Sequence, residues 1–310
     1  MKAVRIHTYG GPEVLKLESA PIPSPKAGEI LVRIKAAGVN PVDWKIREGY
    51  LKDYLKHQLP LILGWDVAGV VEKLGQDVTR FAVGDAIYSR PDINKDGAYA
   101  EFMVLNAEEA AQKPESLSFD EAAAVPLAAL TAWQALFDEA KLDQGQRVLI
   151  HAGAGGVGSF AVQLAKCKNI YVIATASDQS IPLVKSLGAD EVIDYRMQDF
   201  ATLVRDVDVV LDTIGGETQT RSWQCLRPNG ILVSTISQPD EKIAKQQGKQ
   251  GVYMFVQPNG LRLEELAQMI DVGEIKPLID VILPLQEVVK AQERSASGHA
   301  KGKIILHVTD

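Results

Sequence analysis

The sequence predicts an α/β protein in two parts, a small β-rich domain and a doubly wound parallel sheet flanked by helices. Three observations carry this reading. The stretch Arg147 to Lys166, RVLIHAGAGGVGSFAVQLAK, reads as strand, glycine turn and helix. The N-terminal third is built of short β-branched runs punctuated by Gly and Pro. Beyond the glycine turn, strand and helix patterns alternate, as a parallel sheet requires.

The elements follow in order. Ala3 to Ile6, Leu15 to Glu18, Ile30 to Ala36, Asp66 to Leu74 and Ala86 to Ser89 read as strands. Gly10-Gly11-Pro12, Pro21 to Pro25 and Gly84-Asp85 read as turns, giving the corners of a small barrel. After Pro114 the character changes to helix: an alanine-rich run at Asp120 to Val125, then Leu127 to Glu139 at helical spacing. Ser118 and Glu121 form a capping-box pattern. Past the glycine turn come strands at Tyr171 to Ala174, Glu191 to Ile193, Val207 to Asp212, Gly230 to Ser234 and Tyr253 to Val256. A helix at Ser180 to Leu187 lies among them, and Gln238 to Gln250 is polar enough to read as a mobile segment. Leu261 to Val272 reads as an amphipathic helix, and strands at Ile279 to Leu283 and Ile304 to Val308 return the tail to the first domain. The expected domains are 1–122 with 268–310, and 123–267.

The glycine turn carries chemistry. Gly153, Gly155 and Gly158 have the G-x-G-x-x-G spacing of a dinucleotide-binding turn between a strand and a helix. Gly153 is expected to permit the tight turn, Gly155 to admit a pyrophosphate close to the backbone, and Gly158 to let helix and strand pack. Gly156 and Val157, at the helix N-terminus, offer N–H groups and a positive dipole end to the phosphates. Gly215, after the strand ending at Asp212, is a second place where backbone would approach the cofactor.

Composition excludes several classes. The chain has 310 residues, 46% of them hydrophobic, with 33 basic and 40 acidic residues and a net charge of −7. That surface argues against nucleic acid as a partner. Two cysteines make no disulfide framework. The opening MKAVRI alternates like a strand rather than a signal peptide, and glycine or charge interrupts every apolar run before it reaches membrane-spanning length. The expectation is a cytoplasmic protein.

Beyond these patterns the chain resembles the zinc-free members of the medium-chain dehydrogenase/reductase superfamily, close to quinone oxidoreductases and enone (alkenal) reductases. The resemblance rests on AAGVNPVDWKIREG, LILGWDVAGVVEKLG, VGDAIY, GAYAEF, LTAWQAL, the glycine-turn core, VKSLGADEVIDY and the closing HAKGKIIL, in the family's order. It implies a GroES-like partial β-barrel, an inserted Rossmann domain and a cofactor cleft. Metal-dependent relatives place Cys and a His-Glu pair where this chain has Asn40 and Trp65-Asp66, so no zinc site is expected. The five histidines are scattered without metal-site spacing, and His151 reads as an ordinary strand residue.

The resemblance also assigns sites. No carboxylate ends the second parallel strand, where NAD-binding sites place one about 20 residues past the glycines. Ala174-Thr175-Ala176-Ser177 stands there, so Ser177 and Tyr195 are expected to hold a 2′-phosphate and the cofactor to be NADPH. Asp178 is the departure that opposes it. Thr131 matches a position beside the nicotinamide, and Phe255 and Val256 a carboxamide-binding or lid segment. Lys45 matches a lysine that stabilises a developing enolate, Asn40 a group near the carboxamide or substrate oxygen, and Tyr50 a proton donor. Asp66 is an anchor for Lys45 or a neighbouring loop, and Lys303 a candidate to reach the cleft. The implied reaction is hydride transfer from NADPH to a small quinone or α,β-unsaturated carbonyl in a homodimer. An acyl-thioester enoyl reductase and a non-catalytic NADPH-binding protein remain alternatives.

Overall fold

The computed structural model describes residues 1–309, which form two compact units. The first comprises Met1–Leu130, Gln257–Gly273 and the tail from Pro277; the second comprises Thr131–Val256 with Glu274–Lys276.

The first unit is organised on the long strand Glu29–Val39. It pairs antiparallel with Val67–Leu74, with Phe102–Asn106 and with the final strand Lys303–His307. Two registers matter for function. Ile304 opposite Val39 brings Lys303 beside residue 40, and Ala37 opposite Val67 brings Asp66 beside Gly38. Gly38 is required there, because a Cβ would lie 2.5 Å from the Ala123 carbonyl oxygen and 2.8 Å from Asp66 Cβ. The strand leads directly into the helix Pro41–Arg47, with Asn40 extended at its N-cap and Pro at its first position. A separate small sheet joins Lys2–Ile6 with Lys16–Ser19 and Leu61–Ile62.

The second unit is a six-stranded, wholly parallel sheet. Its spatial order is Glu191–Asp194, Tyr171–Ala176, Arg147–Ile150, Val207–Asp212, Leu226–Ser234, Gln250–Tyr253. In chain order this is 3-2-1-4-5-6, the doubly wound arrangement whose ligand crevice lies at the ends of the first and fourth strands. The inner strands are largely buried apolar runs, as a sheet covered on both faces demands.

Three sequence expectations need correction. The outermost strand is Gln250–Tyr253 rather than Tyr253 to Val256. The polar segment expected to be mobile contains the helix Glu241–Gln246, started by Asp240, whose carboxylate accepts from the N–H groups of Lys242 and Ile243. The helix expected over Leu127 to Glu139 is α-helical only for Pro126–Trp133 and continues through wider π-type turns at Gln134–Glu139. The Ser118–Glu121 capping box is present.

Candidate functional site

In the second unit the glycine turn joins Arg147–Ile150 to the helix Gly156–Cys167. The left-handed backbone conformation falls on Ala152, at φ +53°, and not on Gly153, which corrects the role expected of that glycine. Gly153 is needed for packing instead: a Cβ there would lie 2.9 Å from Ala174 Cβ and 3.0 Å from Val184 Cγ1. Gly158 faces the turn so closely that a Cβ would stand 2.1 Å from the Ala152 carbonyl oxygen. At Gly155 the nearest atom to a Cβ is that same oxygen at 3.2 Å, so the position is tight only on the protein side. Gly155 is the helix N-cap, which leaves the N–H groups of Gly156, Val157 and Gly158 without helical acceptors. A cradle of small residues at a helix N-terminus suits a pyrophosphate.

Ser177 and Tyr195 lie side by side. They follow the ends of neighbouring parallel strands, and the Tyr195 N–H donates to the Ala176 carbonyl at 3.2 Å. Ser177 Oγ is 3.2 Å from Ser180 Oγ, Tyr195 is exposed, and the Arg196 guanidinium sits 5.7 Å from its ring. Asp178 is exposed at the start of the following 3₁₀ turn. At the fourth strand, buried Asp212 does more than end the element. Its Oδ1 accepts from the N–H groups of Ile214 and Gly215 at 3.0 and 2.8 Å. Its Oδ2 accepts from Gln219 at 3.0 Å and Ser234 at 2.8 Å. The loop carrying Gly215 is thereby fixed, with Gly215 at φ +79°. Thr131 is buried in the helix Pro126–Trp133. Phe255 and Val256 fall just beyond the outermost strand instead of within it.

In the first unit the two registers create a buried polar knot. Asn40 Nδ2 donates to Asp66 Oδ2 at 2.9 Å, Lys303 Nζ donates to the same oxygen at 2.7 Å, and Lys303 also donates to Asn40 Oδ1. The other Asp66 oxygen accepts from the Leu127 N–H at 2.6 Å, at the start of the helix Pro126–Trp133. Asp66 thus anchors Lys303, Asn40 and a helix N-terminus, not Lys45. Asn40 is buried with its amide engaged by Asp66 and Lys303, so its geometry is that of a positioning group rather than one open to substrate.

In the helix Pro41–Arg47, Asp43 Oδ2 accepts from the Asn40 N–H at 2.8 Å and from the Tyr99 hydroxyl at 2.6 Å. Burial pushes the Asp43 carboxyl up to about 7, against these bonds and the Lys303 charge. Lys45 lies on that helix, half-buried, its ammonium 5.7 Å from the Trp44 ring. Among the described residues it is paired with no carboxylate, and burial holds its pKa below the ordinary lysine value. Tyr50 is 64% exposed, and the Glu48 carboxylate nearby raises its pKa. That is a poor setting for the proton donor expected there.

The residues at the positions of a metal site do not fit zinc. An amide and an indole are not zinc ligands, and Asp66 is already neutralised by an ammonium. Among the described residues no three His, Cys, Asp or Glu side chains gather in a group that could hold a metal ion.

A β-domain feeding a 3-2-1-4-5-6 sheet with a glycine turn at its first strand defines the medium-chain dehydrogenase/reductase class, and the chain belongs to it. Residues 26–115 match the alcohol dehydrogenase GroES-like domain family, and residues 187–306 the zinc-binding dehydrogenase family. Within the superfamily the chain belongs with the zinc-free quinone oxidoreductases and enone reductases. It is 37% identical to the 2-methylene-furan-3-one reductase of Solanum lycopersicum, over 99% of this chain and 79% of that protein. It resembles the structure of the quinone oxidoreductase from Coxiella burnetii with a TM-score of 0.94, at 37% identity over 100% of this chain and 99% of that one. A mycobacterial structure solved in complex with NADPH matches with a TM-score of 0.90, at 30% identity over 99% of this chain and 100% of that one.

Sequence reasoning missed the partners of Lys303, which lie more than two hundred positions away, and the side-chain contacts of buried His151 with Thr175 and Ser222. The first has a signal only once strands are paired; the second would have needed the helix Gly216–Ser222.

Proposed function

We propose that the chain is a zinc-independent, NADPH-dependent reductase of small quinones or α,β-unsaturated carbonyl compounds. The observation that carries this is Lys45: a half-buried ammonium with no carboxylate partner among the described residues, on a helix fixed at its start by buried Asp43 and Asn40. The relatives named as quinone oxidoreductase and furanone reductase support the substrate class. Ser177 beside Tyr195, with no carboxylate ending the second strand, supports NADPH over NADH.

Gly153, Gly155, Gly156, Val157 and Gly158 would cradle the pyrophosphate, Ser177 and Tyr195 the 2′-phosphate, and Gly215, Thr131, Phe255 and Val256 the nicotinamide end. When bound, the cofactor supplies a hydride, and the protein orients it. Lys45 donates a hydrogen bond to the substrate carbonyl oxygen and stabilises the negative charge that grows there during reduction. Its depressed pKa eases proton release to the oxyanion. Tyr50, exposed and with its pKa raised by Glu48, leaves the carbon-bound proton to water. Asn40, Asp66 and Lys303 act by position, fixing where the helix of Lys45 begins. The chain is expected to pair as a homodimer through the edge strand Gln250–Tyr253.

The test follows NADPH oxidation with small enones and quinones. Lys45→Met is expected to lower kcat about a hundredfold with little change in NADPH affinity. An unchanged kcat would make Lys45 an ordinary surface lysine.

A further inference from the structure

His151 directly follows the first parallel strand, is only 1% exposed, and takes no part in the reading above. Its hydrogen bonds fix its tautomer. Ser222 Oγ donates its single proton to the Thr218 carbonyl at 2.6 Å, so toward His151 Nε2, 2.8 Å away, it accepts. Nε2 therefore carries the ring proton, and in the neutral ring Nδ1 is an acceptor. Thr175 Oγ1, 3.2 Å from Nδ1, donates to it, which orients the hydroxyl lone pairs toward the Ala152 N–H at 3.2 Å. The chain runs one way: Ala152 N–H to Thr175, Thr175 to His151, His151 to Ser222, Ser222 to Thr218.

The end of this chain is the pivot of the glycine turn. Ala152 is the residue in the left-handed conformation, which strains any residue but glycine. Its carbonyl accepts from Gly155 at 2.9 Å, and it is the atom that Gly158 packs against. Thr175 also accepts from Gly153 through its carbonyl at 2.9 Å, and the His151 carbonyl accepts from Thr213 at 3.1 Å, in the loop before Gly215. Burial holds the imidazole well below its ordinary pKa despite the pull of Asp212, and the Phe200 ring meets it edge-on at 4.7 Å, with Arg221 beyond that ring. A neutral ring is what the hydrogen-bond pattern needs.

We propose that His151 is a positioning residue for the cofactor pyrophosphate: through Thr175 it holds the strained Ala152 peptide, and with it the direction of the glycine-turn N–H groups. The inference rests on the reading of that turn as a cofactor site. Because the pyrophosphate is common to both nicotinamide dinucleotides, His151 should set affinity without setting the choice between them, which Ser177 governs.

The test titrates NADPH and NADH separately against the full-length chain. His151→Phe and Thr175→Val should each weaken both dinucleotides about tenfold with their ratio unchanged, and the double variant should lose little more than either. His151→Asn, whose amide oxygen can accept from Thr175 in place of Nδ1, should recover most of the loss. Nitrogen-15 NMR of the wild-type chain should show Nε2 protonated and Nδ1 bare, a result that needs no variant to fold. Protonated Nδ1, unchanged affinities, or a double variant weakened about a hundredfold would each overturn the proposal. Failure of the wild-type chain to bind either dinucleotide would instead remove the cofactor reading, while the NMR result still decides the tautomer.

Discussion

Replacing Gly158 by valine should abolish cofactor binding and lower the melting temperature by roughly 5–10 °C. A Cβ at that position would stand 2.1 Å from the Ala152 carbonyl oxygen, 2.8 Å from its carbon and 3.0 Å from Gly153 Cα. All three are backbone atoms, so no side chain can swing aside. Relief requires the helix Gly156–Cys167 to move off the turn, which undoes the cradle. Gly155→Ala is the informative contrast. Its Cβ meets the Ala152 oxygen at 3.2 Å and the Ala152 Cβ at 3.9 Å, so stability should change little while dinucleotide affinity falls at least tenfold if the added methyl stands where this reading brings the phosphate. Calorimetry with a binding titration separates the two. A Gly158→Val chain that binds normally would refute the assignment of this turn.

Replacing Lys303 by methionine should cost about 3–5 kcal/mol of stability by chemical denaturation. Asp66 is fully buried and Lys303 is 4% exposed, with 2.7 Å between the ammonium and the carboxylate. Methionine fills similar space but removes the ammonium in direct contact, leaving buried Asp66 hydrogen-bonded to the neutral Asn40 amide and Leu127 N–H, with the Arg90 charge acting on it from further off. Asp66→Asn in the Lys303→Met background should recover much of the loss, since it removes the orphaned charge while retaining an acceptor. If Lys303→Met lies within about 1 kcal/mol of wild type, the knot is solvated and does not hold the start of the Lys45 helix.

The architecture was legible wherever local pattern and tertiary role coincide. Val207–Asp212 is a largely buried stretch carried by three valines and a leucine, and the sequence pattern gives its bounds as the structure has them. The sequence pattern places the outermost strand three residues late, because Tyr253 to Val256 is the more β-prone stretch and an edge strand needs little beyond backbone pairing. The helix Glu241–Gln246 buries only Ala244, so its polar sequence carried little amphipathic signal; the Asp240 cap was the available clue. The site was legible as motifs but not as roles. Asn40 stood out in its loop, yet its commitment to Asp66 and Lys303 follows from strand registers that no local window contains. The spacing of the turn points to Gly153, whereas the left-handed residue is its neighbour Ala152.

The most direct test of the central claim is to run the reaction with NADPH deuterated at the transferable position of its nicotinamide and a small enone as acceptor. Mass spectrometry and NMR of the product should show one deuterium at the β-carbon, in protein stripped of metal by chelation. Bound NADPH with no acceptor-dependent transfer of the label would contradict the account and leave a dinucleotide-binding protein without this chemistry.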